Sequence, residues 1–460
     1  MVRSIKLFSL LLMVVLTCIF IACGQDVINE STPVPTQTPE PEPSYYSVIF
    51  DENSKNRISV SGFDSQEGNV YYVTKEMTID LNYEKENDFN YYKILYTSDN
   101  YLEGWLSYES SQGSIEEVFY LEPGENVTFS GLINNFLDGN NGTKITKIVF
   151  KAFKGKKCHF DILSLSTDIR DVPDSEFVYI QNDNYKFGID LSMGGGVCYL
   201  EDLKDNDDSL GNLLNRADEG RLIQQSYYGD IEAPYKPEKY NGTLWSYNPV
   251  QGGDLHKNRS KIVDFTVNED SIYIKCIPMD WAQNGVACQC YMENVYSLKN
   301  GYIQVRNRFI DYSGYMRIST PHQELPAVYV ISYLDTFHYY AGGQPWTNDT
   351  LTTKKDLPFW GGNQNAYFTL RSTNDERWCA WTDANGYGLG IYNPIAKQFI
   401  AGRFSYNGTK ESVDGATNYV APLITAKMER CKVFEYDYYV TTGNLQSIRD
   451  TFKIIYDDAK

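Results

Sequence analysis

The chain has 460 residues, 42% of them hydrophobic and 22% charged, and this globular composition excludes a disordered chain, a collagen-like repeat and a multispan membrane protein. Its length predicts about two or three domains. The formal charge of -19 repels phosphate backbones, so no nucleic-acid partner is expected. The 38 tyrosines suit sheet packing and sugar stacking alike, so their number alone does not choose between the two.

The N-terminus has the pattern of an export signal. Arg3 and Lys6 precede an apolar run over residues 7–21, which is typical of a secretory signal peptide. The run ends in Phe-Ile-Ala-Cys-Gly at residues 20–24, which resembles the lipobox of bacterial lipoproteins. This resemblance implies that Cys23 is lipidated. An ordinary signal peptide or an uncleaved anchor is the alternative.

We therefore expect residues 1–22 to be a lipoprotein signal peptide and residues 23–44 to be a tether. Residues 31–44 are rich in proline, and such a segment stays extended at about 3.1 Å per residue. The predicted location is the bacterial cell surface, lipid-anchored to the membrane and facing outside the cytoplasm.

The cysteines do not form a pattern that binds metal or builds a disulfide framework. Nine cysteines less Cys18 and Cys23 leave seven, which is an odd and sparse set. Cys288 and Cys290 flank one residue of a predicted strand, and we interpret them as small core residues, with a zinc site as the alternative. We expect no metal and no cofactor.

Residues 45–168 show short alternating apolar runs separated by Gly, Asn and Asp, as at residues 77–81, 91–96 and 145–153. This pattern predicts a β-sandwich. With Glu-Gly-Trp-Leu at 103–106 and Cys-His-Phe-Asp-Ile at 158–162, the segment resembles the jelly-roll accessory modules of secreted carbohydrate-active proteins. The resemblance implies a carbohydrate-binding-like module.

The polar segment 169–175 predicts a domain boundary, so a second domain covers residues 176–460. It is again mostly strand-like. In residues 302–309 the positions alternate, with apolar side chains on one face and polar or tyrosine side chains on the other. Only the end predicts a helix, because Asn444 is a good N-cap and apolar residues then recur at spacings of three and four, namely Leu445, Ile448, Phe452 and Ile455.

Three stretches of the second domain combine aromatic, amide and charged residues. In the first, residues 212–228, Arg221 and Gln224 supply hydrogen-bonding groups beside Glu219. The alternative is a polar loop with a salt bridge from Glu219 to Arg221.

In the second stretch, residues 245–256, Gly252 and Gly253 allow a tight backbone. Such a turn would hold four polar side chains around a ligand under the ring of Trp245, namely Asn248, Gln251, Asp254 and His256. A simple glycine turn is the alternative.

The third stretch, residues 319–329, contains His322 and Glu324 two residues apart on an extended chain, where they share a side and would act together on a proton. Alternatively, His322 is a buried imidazole bonded to Glu324. Trp346 and Trp360 lie in glycine-rich loops, where each ring serves either as a sugar platform or as core.

With Gly-Gly-Gly-Val-Cys-Tyr-Leu at 194–200 and Asn-Leu-Leu-Asn at 212–215, the second domain resembles the galactose-mutarotase-like supersandwich of aldose epimerases and of several glycosidase and polysaccharide-lyase families. The resemblance implies an all-β fold, in which a jelly-roll-like N-terminal sandwich is followed by a larger supersandwich and a short C-terminal helix. No catalytic residue is carried over from that family.

The leading functional hypothesis is a surface lipoprotein that acts on a poly- or oligosaccharide and hydrolyses a glycosidic bond, which requires a proton donor and a second carboxylate. The predicted catalytic residues are Glu324 and Asp254, then Glu219, with His322 and His256 orienting them. Hydroxyls would be bound by Arg221, Gln224, Asn248 and Gln251, and sugar rings by Trp245, Trp346 and Trp360.

Three other functions remain open from the sequence. One is a lyase, in which a Tyr or His removes a proton and Arg221 neutralises a uronate. The second is a non-catalytic, tethered protein that captures glycans. The third is a structural or assembly lipoprotein of the envelope.

Overall fold

Strands dominate the part of the chain that the structure describes. The structure is a computed structural model, and it describes residues 47–82, 87–133, 139–153, 156–173, 175–204, 210–317, 320–355, 357–358, 366–405 and 408–460. The predicted signal peptide, the tether and Cys23 lie outside the described residues. Residues 45–460 group as one compact unit. No helix in the described ranges has the length and apolar character needed to cross a membrane.

The first eleven strands form two antiparallel sheets. They are β1 (Ser47–Phe50), β2 (Ile58–Ser61), β3 (Ser65–Glu67), β4 (Val70–Val73), β5 (Glu76–Leu81), β6 (Tyr91–Ser98), β7 (Leu102–Ser110), β8 (Gly113–Leu121), β9 (Gly124–Leu132), β10 (Gly142–Ala152) and β11 (Cys158–Asp168). One sheet has the order β3-β4-β11-β6-β9, with β1 also paired to β11, and the other has the order β2-β5-β10-β7-β8.

Alternation along these strands builds the core between the two sheets. In β6, for example, Tyr92, Ile94 and Tyr96 are buried while the residues between them are only partly buried, as the period of two requires. The rings of Phe119 and Phe129 stack across the core with centroids 5.0 Å apart. The predicted N-terminal β-sandwich is confirmed, and its likeness to jelly-roll modules stays a prediction.

In its described residues, the second region adds twenty-one strands and one α-helix. They are β12 (Phe177–Gln181), β13 (Tyr185–Asp190), β14 (Gly196–Asp202), β15 (Gln224–Ser226), β16 (Lys239–Tyr240), β17 (Thr243–Leu244), β18 (Pro249–Val250), β19 (Lys261–Val267), β20 (Ser271–Ile277), β21 (Met279–Asp280), β22 (Cys290–Leu298), β23 (Ile303–Asp311), β24 (Thr320–Ile331), β25 (Thr336–Tyr339), β26 (Thr352–Lys355), β27 (Tyr367–Thr369), β28 (Trp378–Thr382), β29 (Tyr387–Tyr392), β30 (Gln398–Arg403), β31 (Thr417–Ala426), β32 (Val433–Asn444) and α1 (Leu445–Asp458).

Two large sheets organise this region. One has nine strands in the order β19-β20-β22-β23-β32-β29-β28-β25-β26, and the other has seven in the order β21-β18-β15-β24-β31-β30-β27. A three-stranded sheet, β12-β13-β14, and the hairpin β16-β17 complete it. The larger all-β domain predicted from the sequence is confirmed. Ile303, Val305 and Phe309 of β23 are buried, as their alternation predicted, and Cys288 and Cys290 are buried in the core.

The two sandwiches pack together through a buried, largely aromatic interface. The backbone N–H of Tyr120 in the first sandwich donates to Oη of Tyr291 in the second over 2.7 Å. Tyr120 also stacks on Tyr312, with ring centroids 4.5 Å apart and planes 12° from parallel. Tyr291 and Tyr312 belong to the hydrophobic cluster that forms the core of the first sandwich, so this cluster extends across the interface. The main core of the second sandwich is a separate cluster.

Charged groups complete this interface. Arg308 in the second sandwich donates from Nη1 to Glu293 at 2.7 Å and to Glu122 of the first sandwich at 2.9 Å. Burial alone would raise the pKa of Glu293, but Lys275 and Arg308 hold it below its usual value. In the segment between the sandwiches, Arg170 pairs with Asp264. The charges are therefore paired where the interface removes them from water.

The C-terminal helix begins where the sequence predicted. Asn444 caps it, with Oδ1 accepting the backbone N–H of Ser447 over 2.9 Å. Ile448, Phe452 and Ile455 face inward and are buried against the strands β28, β29 and β32. The helix is thus held by one apolar face.

We predict that Phe452→Ala lowers the free energy of unfolding by about 3–5 kcal/mol, because it removes a fully buried ring and leaves a cavity. Ile454→Ala on the same helix is the matched control, since that side chain is 61% exposed and its loss should change stability by less than about 0.5 kcal/mol. Denaturant unfolding measures both. Equal effects of the two substitutions would contradict the packing described for α1.

Candidate functional site

A cavity of about 260 Å³ opens beside the seven-stranded sheet. The strands β15, β18, β24 and β31 form its floor, and the segment around the hairpin β16-β17 forms one wall. We call it the Glu324 pocket. Its lining consists of one carboxyl, three other polar side chains and mainly aromatic residues, namely Glu324, Gln224, Ser226, Asn248, Tyr228, Tyr240, Trp245, Trp281, Tyr329, Phe404 and Tyr419, with Val250 and Ala327.

Strand pairing brings the polar floor together. Ser226 of β15 lies opposite Glu324 of β24, and Tyr329 of β24 lies opposite Tyr419 of β31. The side chain of Gln323 extends the pairing beyond the end of β15, because its amide accepts from the backbone N–H of Tyr228 and donates to the carbonyl of the same residue, each over 2.8 Å. This fixes Tyr228 beside Glu324.

The carboxyl of Glu324 is buried without a cation. The residue is 9% exposed, and its carboxyl is hydrogen-bonded by the hydroxyls of Tyr419, Ser226 and Tyr228. No cationic side chain in the described ranges forms an ion pair with it. Burial therefore raises the pKa of Glu324, and the three hydroxyls only partly oppose that change. The group is suited to hold a proton at higher pH than an exposed glutamate does.

Three aromatic rings form the outer wall. The ring centroids of Trp245 and Trp281 lie 5.0 Å apart, and the ring of Tyr240 lies 5.4 Å from the first and 4.8 Å from the second. All three side chains are partly exposed. They therefore offer apolar surface to a ligand in the pocket.

Asn248 and Asp280 hold this wall in place. Oδ1 of Asn248 accepts from Nε1 of Trp245 over 3.1 Å, and its Nδ2 donates to the carbonyl of Tyr227 over 2.7 Å. Asp280 accepts the backbone N–H of Asn248 and the hydroxyl of Tyr235, and burial raises its pKa to about 6. The wall is thus attached to the sheet by directed hydrogen bonds rather than by packing alone.

Four of the residues singled out from the sequence line this pocket: Glu324, Gln224, Trp245 and Asn248. Gln224 also has a structural task, because Oε1 accepts the backbone N–H of Gly252 over 2.8 Å and Nε2 donates to the carbonyl of Gly220 over 2.7 Å. Gln224 is the first residue of β15.

The expected second carboxylate is not brought to the pocket. Both oxygens of Asp254 accept hydrogen bonds within its own loop region, from the backbone N–H groups of His256, Asn258 and Gly285 and from the side chain of Asn258. This carboxylate organises a turn. His256 is exposed and is not among the lining residues.

Glu219 and Arg221 line a separate cavity of about 140 Å³. Arg221 donates from Nη1 to Oδ1 of Asn215 at 2.9 Å and to the carbonyl of Gly415 at 3.0 Å. No ion pair joins Glu219 to Arg221, both of which are described, so the salt bridge considered as the alternative does not form.

Gln251 is buried and supports the backbone rather than a ligand. Its Nε2 donates to the carbonyl of Gly194 over 2.9 Å, and its Oε1 accepts the backbone N–H of Gln225 over 3.1 Å. Gly194 has φ +61°, and a Cβ there would lie 2.2 Å from the carbonyl oxygen of Gln251. Glycine at position 194 is therefore required by this close approach.

His322 does not act with Glu324 in this arrangement. Its ring lies 4.8 Å from the ring of Tyr367, its Nδ1 has no hydrogen-bond partner among the described residues, and burial lowers its pKa. Trp346 packs against the C-terminal helix, where it stacks on Tyr456 with centroids 5.0 Å apart. Trp360 lies outside the described residues.

Several lining residues were not singled out from the sequence, chiefly Trp281, Ser226, Tyr228 and Tyr419. Trp281 follows the two-residue strand β21. The signal in the sequence that could have pointed to it was that it is a tryptophan. Tyr419 lies in the strand β31, where it and its neighbours are buried alike, so no local pattern distinguishes it from core tyrosines. Only the pairing of β24 with β31 reveals that it faces Glu324.

No family model and no curated protein matches the chain. Among solved structures, it is similar to a putative aldose 1-epimerase from Escherichia coli K12, with 10% identity and a TM-score of 0.36 over 58% of this chain and 99% of that one. The galactose mutarotase related enzyme from Lactobacillus acidophilus gives 13% identity and 0.36 over 58% and 97%. An α-galactosidase from Geobacillus stearothermophilus gives 13% and 0.35 over 61% and 42%. Sequence identities and TM-scores this low support no conclusion about function.

We predict that the contribution of Glu324 to the free energy of unfolding falls as the pH rises. Because its pKa is raised above 4.5 in the folded chain, the folded state keeps a proton that the unfolded state releases. This contribution is fully present below about pH 4.5 and is lost as the pH rises through the folded value. Relative to the wild type, Glu324→Gln should therefore become progressively more stable from pH 4.5 towards neutrality.

Denaturant unfolding at a series of pH values measures the difference between the two proteins. Glu219→Gln, which removes an exposed carboxyl, controls for the loss of one negative charge. A wild-type and a Glu324→Gln curve that run parallel over this range would show that burial does not protonate Glu324.

Proposed function

We propose that the protein binds carbohydrate in the Glu324 pocket and displays this pocket at the cell surface. The observation that carries the proposal is the combination of a partly exposed aromatic wall with a floor of hydroxyl, amide and carboxyl groups. A sugar ring presents an apolar C–H face and a rim of hydroxyls. It would be matched by the rings of Trp245 and Trp281 on one side and by polar floor groups on the other.

The size and chemistry of the pocket support one buried sugar unit of a longer chain. The cavity of about 260 Å³ is partly open to solvent, so a ligand can continue beyond the pocket. Exposed apolar side chains at Leu244 and Leu255 extend the surface next to it. These features favour an oligo- or polysaccharide over an isolated monosaccharide.

Cleavage of a glycosidic bond at the same pocket is the second candidate. It is favoured by Glu324, whose burial without a cation would keep it protonated as a proton donor. Hydrolysis by paired carboxylates needs a second one, as base or nucleophile. Among the described lining residues Glu324 is the only carboxyl, and Asp254 is engaged in its turn. The geometry therefore supports capture better than hydrolysis.

The experiment compares full-length wild type in detergent with Trp245→Ala and Trp281→Ala on an array of plant, algal and bacterial glycans. Each substitution should weaken binding by about tenfold or more, because it removes apolar contact with the sugar. A contact worth roughly 1.4 kcal/mol corresponds to a tenfold change in affinity. Tyr179→Ala is the matched control, because this aromatic residue of β12 is 40% exposed and does not line the Glu324 pocket. Equal loss in the control would contradict binding at the Glu324 pocket.

Glu324→Gln, assayed for binding and for new reducing ends, separates the two candidates. Capture predicts that the variant binds within about threefold of the wild type, since Gln can still hydrogen-bond in the same place, and that neither protein releases products. Products from the wild type alone would instead establish cleavage with Glu324 as an essential group.

The surface location is proposed from the signal-like N-terminus and the lipobox-like Ala22-Cys23. We predict that Cys23→Ser moves the protein from the membrane fraction to the soluble fraction, because the thiol is the only attachment point of the proposed lipid. Fractionation with and without detergent measures this. Cys158→Ser is the control, since that cysteine is buried in the first sandwich. A Cys23→Ser protein that stays membrane-bound would contradict lipid anchoring.

A further inference from the structure

A second cavity, of about 270 Å³, lies beside the last turn of α1, next to the end of β29 and the middle of β32. It is as large as the Glu324 pocket. Tyr392, Tyr439 and Tyr456 line it together with the aliphatic side chain of Ile455. We call it the helix cavity.

The helix cavity contains polar groups that the fold leaves unused. Tyr392 is only 3% exposed, yet its hydroxyl has no hydrogen-bond partner among the described residues. The hydroxyl oxygen keeps some accessible surface, and Tyr392 lines the helix cavity. The hydroxyl of Tyr439 is likewise without a partner in the described ranges. Buried polar groups are normally paired, and unpaired ones facing a cavity indicate a ligand or water.

The helix cavity has cationic and anionic side chains in equal number around it. Arg377 donates to the carbonyls of Asn374 and Pro394, with Nη2 lying 4.0 Å from Asp375. Tyr456 donates its hydroxyl to Asp375 over 3.0 Å. The ammonium group of Lys460 lies 4.2 Å from the ring centroid of Tyr456 and faces Asp375 and Asp457. The two cations, Arg377 and Lys460, are thus matched by two carboxylates, Asp375 in the lining and Asp457 beside Lys460, which suits a neutral, polyhydroxylated ligand.

Trp346, which packs behind the helix cavity, is held in a strained backbone conformation. Trp346 has φ +63°, which is unusual for a bulky residue, and its ring stacks on Tyr456 and meets Tyr392 edge-on. Its backbone N–H donates to Glu376 over 2.7 Å, and Glu376 is itself paired with Arg449 in a buried ion pair. Strain that is held by such a network is common at functional sites.

We infer that the helix cavity is a second binding site, which takes one neutral sugar residue. The ligand class rests on the proposed carbohydrate function, whereas the site itself rests on the cavity and its unpaired hydroxyls. The tyrosine hydroxyls would bond to sugar hydroxyls, and the aliphatic and aromatic lining would contact the ring. Two sites on one chain raise the apparent affinity for a polymer that reaches both.

The experiment follows ring signals of ¹³C-labelled tyrosine in the full-length protein during titration with D-glucose, D-galactose and D-mannose, with D-glucuronate as a charged comparison. Phe substitutions assign the signals of Tyr392, Tyr439, Tyr228 and Tyr419. At least one neutral sugar should shift the first two. The double variant Tyr392→Phe with Tyr439→Phe should weaken binding at the helix cavity about tenfold, because two hydrogen bonds are lost.

Tyr302→Phe is the matched control, because this ring contacts Tyr439 but does not line the cavity, and it should bind as the wild type does. The inference is overturned if none of the neutral sugars shifts Tyr392 and Tyr439, if only glucuronate does, or if the double variant binds as well as Tyr302→Phe. Shifts at Tyr392 without shifts at Tyr228 and Tyr419 would support the helix cavity while contradicting the Glu324 pocket, so the two proposals fail separately.

Discussion

The backbone of residues 224–228 is buried in the middle of the seven-stranded sheet but is paired along only part of its length. Side-chain amides complete its hydrogen bonds, as buried backbone groups require. Gln251 accepts from one residue of this segment, Asn248 donates to another, and Gln323 both accepts from and donates to Tyr228. The pocket floor exists because these amides replace neighbouring strands and leave space where a longer strand would lie.

This constraint explains which parts of the site the sequence could predict. A cluster of Gln and Asn near Trp245 pointed to this region, and Asn248 and Gln224 do line the pocket. However, an amide that binds a sugar and an amide that binds a backbone carbonyl have the same sequence signature. Gln251 belongs to the second kind, whereas Asn248 serves both the wall and the floor. Asp254 was misleading for a similar reason, since a carboxylate in a glycine-rich turn satisfies backbone N–H groups as readily as it assists catalysis.

Local patterns predicted the fold better than the site. The period of two in β23 and the cap and spacing of α1 depend on neighbouring residues, so they can be read directly from the chain. The pairing of Ser226 with Glu324, and of Tyr329 with Tyr419, joins segments about a hundred residues apart. The abundant tyrosines likewise divide between core, interface and pocket according to pairings that no local pattern contains.

The interface between the sandwiches has a consequence for how such a chain can evolve. Accessory modules that are joined by flexible linkers can be transferred as whole domains from one protein to another. Here, removing the first sandwich would leave Tyr291 and Tyr312 facing water and would deprive Arg308 of one of its carboxylates. The first sandwich therefore depends physically on its neighbour and is not built as a portable module, and a substitution at its interface must remain compatible with the surface on which it packs.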